Sequence, residues 1–416
     1  MTVNYLSSLV QIVSRELSLL LFLVHLDDRN FTHPSITGHH SELREDLLEH
    51  DEALMPLWRD FSTSISNFTG SRSQVFLVII QDVQLSRSVL DLLAPALNGH
   101  NHLGGLLLRN NRLPRHGVQF VSTFLEINKS IKCLASCNKI ENVTDANSIA
   151  KAVLTHPNIE SLILHQADLG RNRSIMTSIM PALYNPSLEA VSLGHNGLAA
   201  IATEVLSCFL SKNPTLKTLH LDKNLLTDED VGVIAKSLHT NTNLEEINLH
   251  HNKFGTIGSN LLLEAVCNMS SLNAIHASNH TCYLKFDTTL VELEPGRDLT
   301  EYESKLFFNT DETESPETRR KAKIIHALSL RTNPRNIDFS QLSDIPINLM
   351  PHVLHFFQNE NKSSSLTRVF QVMSEWNMPW LFTKRKCRFK RRRSKSSNHS
   401  APLRRSARIQ KIRTSN

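Results

Sequence analysis

Apolar positions in this chain recur in a fixed phase. Residues 216–226 read LKTLHLDKNLL, apolar at the first, fourth, sixth and eleventh places, with Asn224 at the ninth. Residues 244–254 (LEEINLHHNKF), 188–198 (LEAVSLGHNGL) and 103–113 (LGGLLLRNNRL) repeat the pattern. Residues 159–169 depart from it only at Ala167, and residues 75–85 (VFLVIIQDVQL) keep the apolar places with Val83 for the asparagine. Weaker copies begin at Ile131 and Leu272. The starts at 75, 103, 131, 159, 188, 216, 244 and 272 are 28 residues apart except for one step of 29, a regularity that coincidence does not produce.

Each unit contains two periodicities. Leu219-His220-Leu221 alternates as a short strand does, whereas Val231, Ile234, Ala235 and Leu238 fall at i, i+3, i+4 and i+7 on one helix face. Thr227, with Asp230 three residues on, forms a variant capping box at the start of that helix. One strand and one helix cannot bury their apolar faces alone. Neighbouring units must therefore stack, which predicts an α/β solenoid with an inner parallel sheet and outer helices. Asn111, Asn196, Asn224 and Asn252 follow the strands, where an amide satisfies backbone groups of the turn; their role is structural.

The 28-residue period and the LxxLxLxxNxL core resemble the ribonuclease-inhibitor class of leucine-rich repeats, over about half the chain from Val75 to Cys282. The resemblance implies a horseshoe whose concave strands bind another protein; it implies no catalysis and no cofactor. The class also contains the Ran GTPase-activating protein, whose C-terminal segment is acidic where this one is basic. GTPase activation is therefore the weakest of the functional alternatives. The sequence is also similar to a group of microalgal repeat proteins, in which a helical extension follows a segment like Asn279–Cys282.

The organisation expected is a helical cap over 1–74, a solenoid of about eight units over 75–285, an acidic linker over 286–318, a C-terminal helical extension over 319–383 and a disordered basic tail over 384–416. The apolar run at residues 17–26 (LSLLLFLVHL) is too short to span a bilayer, and Asp27 and Asp28 stand where a signal-cleavage site would need small residues. It reads as an end-capping helix, and no transmembrane segment is expected.

Strand positions three, five and seven should point to solvent from the concave face, because positions four and six point into the core. That set includes Arg109, Cys133, His165, Thr218, His220, Asp222, Glu246, Asn248 and His250, and all but Cys133 are the candidate partner-binding residues. His220 and His250, on neighbouring units, could share a metal, but zinc takes four ligands and the sequence supplies two or three, so no metal site is assigned. Cys133 and Cys137 are too far apart along one strand to bridge, and no base accompanies either thiol. The six cysteines show no CxxC spacing, which fits a reducing, intracellular setting.

Charge modifies this picture at one end. The net charge is +5, yet residues 384–413 hold 14 Lys and Arg and no acid, so the remainder is acidic by about nine charges. The clusters are Lys384, Arg385, Lys386, Arg388, Lys390, Arg391, Arg392 and Arg393, then Arg404, Arg405 and Arg408. Three readings compete: a two-part signal for a nuclear-import receptor, non-specific binding to nucleic acid or chromatin, and attachment to an acidic surface, either a membrane or the protein's own body. The first ranks highest and points to the nucleus, with the cytoplasm as the alternative.

Overall fold

Among the described residues ten strands, seven of them in the 28-residue phase, assemble in sequence order into one sheet. The computed structural model describes residues 9–11, 21–27, 52–68, 74–81, 83–109, 116–287, 315–331, 350–351 and 353–355. They belong to two units, Met1–Lys323 and Ile324–Asn416. In the first, β1 (Leu9–Gln11) and β2 (Leu21–Asp27) run antiparallel ahead of β3 (Gln74–Gln81). Parallel strands continue as β4 (Leu103–Arg109), β5 (Cys133–Ser136), β6 (Ser161–Leu164), β7 (Ala190–Ser192), β8 (Thr218–His220), β9 (Glu246–Asn248) and β10 (Tyr283–Lys285).

Helices alternate with the strands: α1 (Met55–Ser66), α2 (Arg87–Asn98), α3 (Gly117–Ile127), α4 (Val143–Leu154), α5 (Arg173–Ile179), α6 (Ala200–Leu210), α7 (Asp228–Leu238), α8 (Thr256–Val266), α9 (Leu272–Ala277) and α10 (Pro316–Arg331). Position four of the motif is fully buried in Leu134, Leu162, Val191, Leu219 and Ile247, which stand in register strand to strand. The predicted helix face is buried too, in Val231, Ile234, Ala235 and Leu238. Each such side chain contributes roughly 1.5–3 kcal/mol relative to exposure, so stacking, and not helix propensity, holds these short elements. At the head of α7 the Asp230 carboxylate accepts from the Thr227 backbone N–H and hydroxyl, both at 2.9 Å.

Two ladders of polar side chains tie unit to unit. Asn196 Nδ2 donates to Leu164 O at 2.6 Å, Asn224 to Leu193 O at 3.0 Å and Asn252 to Leu221 O at 2.9 Å. In return Asn224 Oδ1 accepts from Leu198 N at 3.0 Å, and Asn252 Oδ1 from Leu226 N at 3.1 Å. The residue just before each asparagine, His195, Lys223 or His251, takes a left-handed φ of 52–57° to make that turn. The second ladder lies past the helix ends and is described below.

Two expectations fail. The copy starting at Leu272 is not a strand. Ser271 caps a helix there, its Oγ accepting from Ala274 N at 3.0 Å, and the strand follows later as β10. Residues 272–277 (LNAIHA) contain two alanines, an asparagine and a single β-branched residue, so once Ser271 caps the turn, helix is the better local solution. The N-terminal apolar run is likewise not a capping helix: Leu21–Asp27 pairs residue for residue with β3, from Leu21↔Ile80 to Asp27↔Gln74. An array that began at β3 would leave a row of unpaired backbone groups, and an added antiparallel strand satisfies them. A helix is nevertheless present in this region, since α1 buries Trp58, Phe61 and Ile65 on one face. The rest of the expected cap, most of the acidic linker and C-terminal extension, and the basic tail lie outside the described residues. In the second unit, Ile324, Ala327, Leu328, Met350 and Val353 are buried.

Candidate interaction surface on the second sheet face

Alternation along the strands places positions three and five on the face opposite the core positions, and the parallel register aligns them as two rows. One row runs Leu77, Gly105, Cys133, Ser161, Ala190, Thr218, Glu246, Tyr283. The other runs Ile79, Leu107, Ala135, Ile163, Ser192, His220, Asn248, Lys285.

The first four strands make an apolar cluster of Leu77, Leu107, Cys133, Ala135 and Ile163, with Ile79 packed against it. Leu77 packs over Gly105, where a Cβ would lie 2.5 Å from Leu77 Cδ2 and force that side chain to shift. The last four strands are polar. His220 Nε2 lies 2.9 Å from Glu246 Oε1, and the other carboxylate oxygen of Glu246 is 2.9 Å from Lys285 Nζ. Burial by itself would raise the Glu246 pKa, but hydrogen bonds from His220 and Lys285 hold its carboxyl below the usual range. Asp287, beyond the last strand, accepts from His250 Nδ1 and from the His251 backbone N–H, each at 2.7 Å. Burial would raise its pKa as well, and these bonds instead keep it low. His165 Nε2 is 2.7 Å from Ser192 Oγ, and its ring centroid is 6.4 Å from that of His195.

The expectation that the whole candidate set faces solvent is corrected. Cys133 is fully buried, and His220 and Asp222 are buried at 3% and 5% exposure. Strands about 4.8 Å apart let neighbouring side chains cover one another. His220 stands in register between Ser192 and Asn248 and is bonded to Glu246, while the Asp222 carboxylate lies over Gly194, whose missing Cβ would be 3.2 Å away. His165, Thr218, Glu246, Asn248 and His250 are half-buried. Arg109 ends β4 opposite Gln81; its side chain lies outside the described residues.

His220 and His250 do not converge on a shared position; each takes its own carboxylate. Among the described residues no three His, Cys, Asp or Glu side chains are arranged to hold a metal. Lys285, Tyr283 and Asp287 complete the polar cluster and escaped the sequence reading because β10 lies outside the 28-residue phase. The one available signal was the alternating run Tyr283–Asp287 itself. At the start of β8–β10 a cleft of about 340 Å³ is lined by Thr218, Glu245, Glu246, Tyr283 and Arg319, among others. Arg319 closes it from the side, donating to Thr281 O at 3.0 Å. No described helix is long and apolar enough to cross a membrane.

The repeat unit has matches among known proteins. A leucine-rich-repeat family matches residues 212–235, which run from the end of α6 through β8 into α7. The mouse (Mus musculus) NACHT, LRR and PYD domains-containing protein 14 is 31% identical over 165 residues, 38% of this chain. This chain spans only 16% of that protein's length. A Bacteroides fragilis protein of known crystal structure is 14% identical, covers 50% of this chain over 62% of its own and superposes with a TM-score of 0.30. The matched repeat and eight parallel strands alternating with helices establish an α/β solenoid built of leucine-rich repeats.

Proposed function

We propose that the chain is a protein-binding scaffold whose partner docks on the polar half of the second sheet face, the concave side of a ribonuclease-inhibitor-type array. Leucine-rich-repeat domains generally mediate protein–protein interaction. The observation that carries the finer reading is the linked set His220–Glu246–Lys285 beside His250–Asp287: polar side chains held in place by one another, half-buried except for the buried His220, and next to the Glu245–Tyr283 cleft. Side chains already held in place lose less entropy when a partner docks. GTPase activation has no specific support here.

Affinity capture with the intact chain and with a Thr218→Arg, Asn248→Arg variant tests the reading. Both substitutions sit on half-buried surface positions, leave the ion pairs intact and obstruct the face. Partners retained by the parent and lost by the variant support it, and an unchanged partner set overturns it.

A second reading rests on the 14 basic residues in 384–413, which suit a nuclear-import receptor or nucleic acid and would direct the scaffold to the nucleus. If nucleic-acid affinity survives truncation after Phe382, the tail does not supply it.

A further inference from the structure

A second ladder runs where helices hand over to the next strand, interrupted after α6, where Asn213 instead bonds forward to Thr242. Its rungs are His100, Asn128, His156, Asn185, Asn241 and Asn279. Every asparagine rung makes the same two kinds of bond. Its Oδ1 accepts from a backbone N–H two residues on: Ser130 N at 2.9 Å, Ser187 N at 2.8 Å, Asn243 N at 3.1 Å and Thr281 N at 2.8 Å. Its Nδ2 donates to carbonyls of the preceding unit: Asn128 to His100 O at 3.0 Å, Asn185 to His156 O at 2.7 Å, Asn241 to Leu210 O at 3.0 Å and Asn279 to Asn241 O at 2.6 Å.

The two histidines reproduce this pair of bonds with an ionisable ring. His100 Nε2 lies 2.9 Å from Phe68 O, and Nδ1 is 3.2 Å from His102 N. His156 Nε2 lies 2.9 Å from Asn128 O, and Nδ1 is 3.3 Å from Asn158 N. A backbone N–H can only donate and a carbonyl can only accept, so each ring must be neutral, with its proton on Nε2. Both are buried, His100 at 8% and His156 at 1% exposure. The His100 ring also packs edge-on against Phe76 at 4.6 Å.

We infer that His100 and His156 are acid-sensitive rungs: protonating Nδ1 places an N–H against a backbone N–H, breaks the bond two residues on and loosens the array between β3 and β6. His100, Asn128, His156 and Asn185 are bonded rung to rung, so the effect reaches successive units. The titratable groups acting on the two rings are His102 on His100 and Lys129 on His156, and both oppose a second positive charge. Burial, the largest influence, lowers both rings from 6.5, against a smaller raising effect of the carbonyl bonds. The unfolded chain therefore takes up these protons more readily. Stability is complete well above pH 6.5 and falls as pH drops through 6.5 toward the lower folded values.

Amide exchange on the full chain at about pH 7 and about pH 5 tests this. Opening at the turns holding His102 and Asn158, corrected for intrinsic exchange, should rise by up to about tenfold per pH unit for each histidine below the free value. A His100→Asn, His156→Asn variant copies the other rungs and should keep protection at neutral pH while losing that rise. His280, pushed down to about 3 mainly by burial, is present in both proteins and cancels from the comparison. An identical pH response in parent and variant overturns the proposal. Should the variant fail to fold, ring ¹⁵N shifts of the parent decide. Nε2–H tautomers titrating below 6.5 uphold the proposal; rings protonated on Nδ1 at neutral pH, or titrating at 6.5 or above, overturn it.

Discussion

On the second sheet face, β3–β6 present Leu77, Leu107, Cys133, Ala135 and Ile163, whereas β7–β10 present Ser192, Thr218, His220, Glu246, Asn248 and Lys285 on the same kind of backbone in the same register. The core face of the two halves is alike, with a fully buried aliphatic residue at position four throughout β5–β9. Positions that hold the fold are thus free of the difference, and positions three and five vary without disturbing it. One half of the face is cohesive through apolar packing, whose own strength does not depend on pH; the acid sensitivity proposed for β3–β6 resides in the turns at His100 and His156. The other is organised by ion pairs, which respond to pH and salt.

Substitutions that separate these two kinds of cohesion sharpen the contrast. The largest effect is expected for Leu107→Ala. It opens a cavity in the apolar cluster at a residue with 1% exposure and should cost about 2–5 kcal/mol in urea denaturation, by the same amount at pH 7 and pH 5. A loss under about 1 kcal/mol would mean that the cluster is not a packed core. Glu246→Gln should cost less, about 1–3 kcal/mol, since it weakens charge-assisted bonds to His220 and Lys285. Its cost should depend on pH. The Glu246 carboxyl is held below its ordinary 4.5, so its contribution is present above that value and disappears as pH falls through the lower folded one. Parent and variant should converge in acid, and a gap that persists there would show that the side chain acts by packing. The smallest effect belongs to Lys217→Ala. Its pair with Glu189 at 3.0 Å is 44% and 38% exposed, and its loss should change stability by no more than about 0.5 kcal/mol and vanish in high salt.

Much of the second face could be read from the chain. Position counting placed Thr218, His220, Glu246 and Asn248 on it because an alternating strand leaves no other choice once Leu219 and Ile247 are in the core. Exposure was not legible in the same way. Whether His220 meets water depends on Glu246 reaching across from the next strand, and whether Asp222 does depends on Gly194 leaving room for it; both are facts about neighbours 26–28 residues away. The role of Asp287 was illegible for a stronger reason. It belongs to no motif position, and it serves His250 and His251 only because β10 lies beside β9.

By itself the sequence determined the repeat: its period, the parallel strands from β3 to β9, the helices between them and the asparagine ladder. These follow from local alternation and from the need of each unit to bury one face against an identical neighbour. Tertiary structure alone decided the ends and the pairings. The antiparallel β2 exists because β3 would otherwise expose an edge, α9 displaces the last strand out of phase, and His220, His250 and His156 find their carboxylate or carbonyl on another unit. Contacts of that kind join segments with no fixed spacing in the chain, so periodicity carries no trace of them.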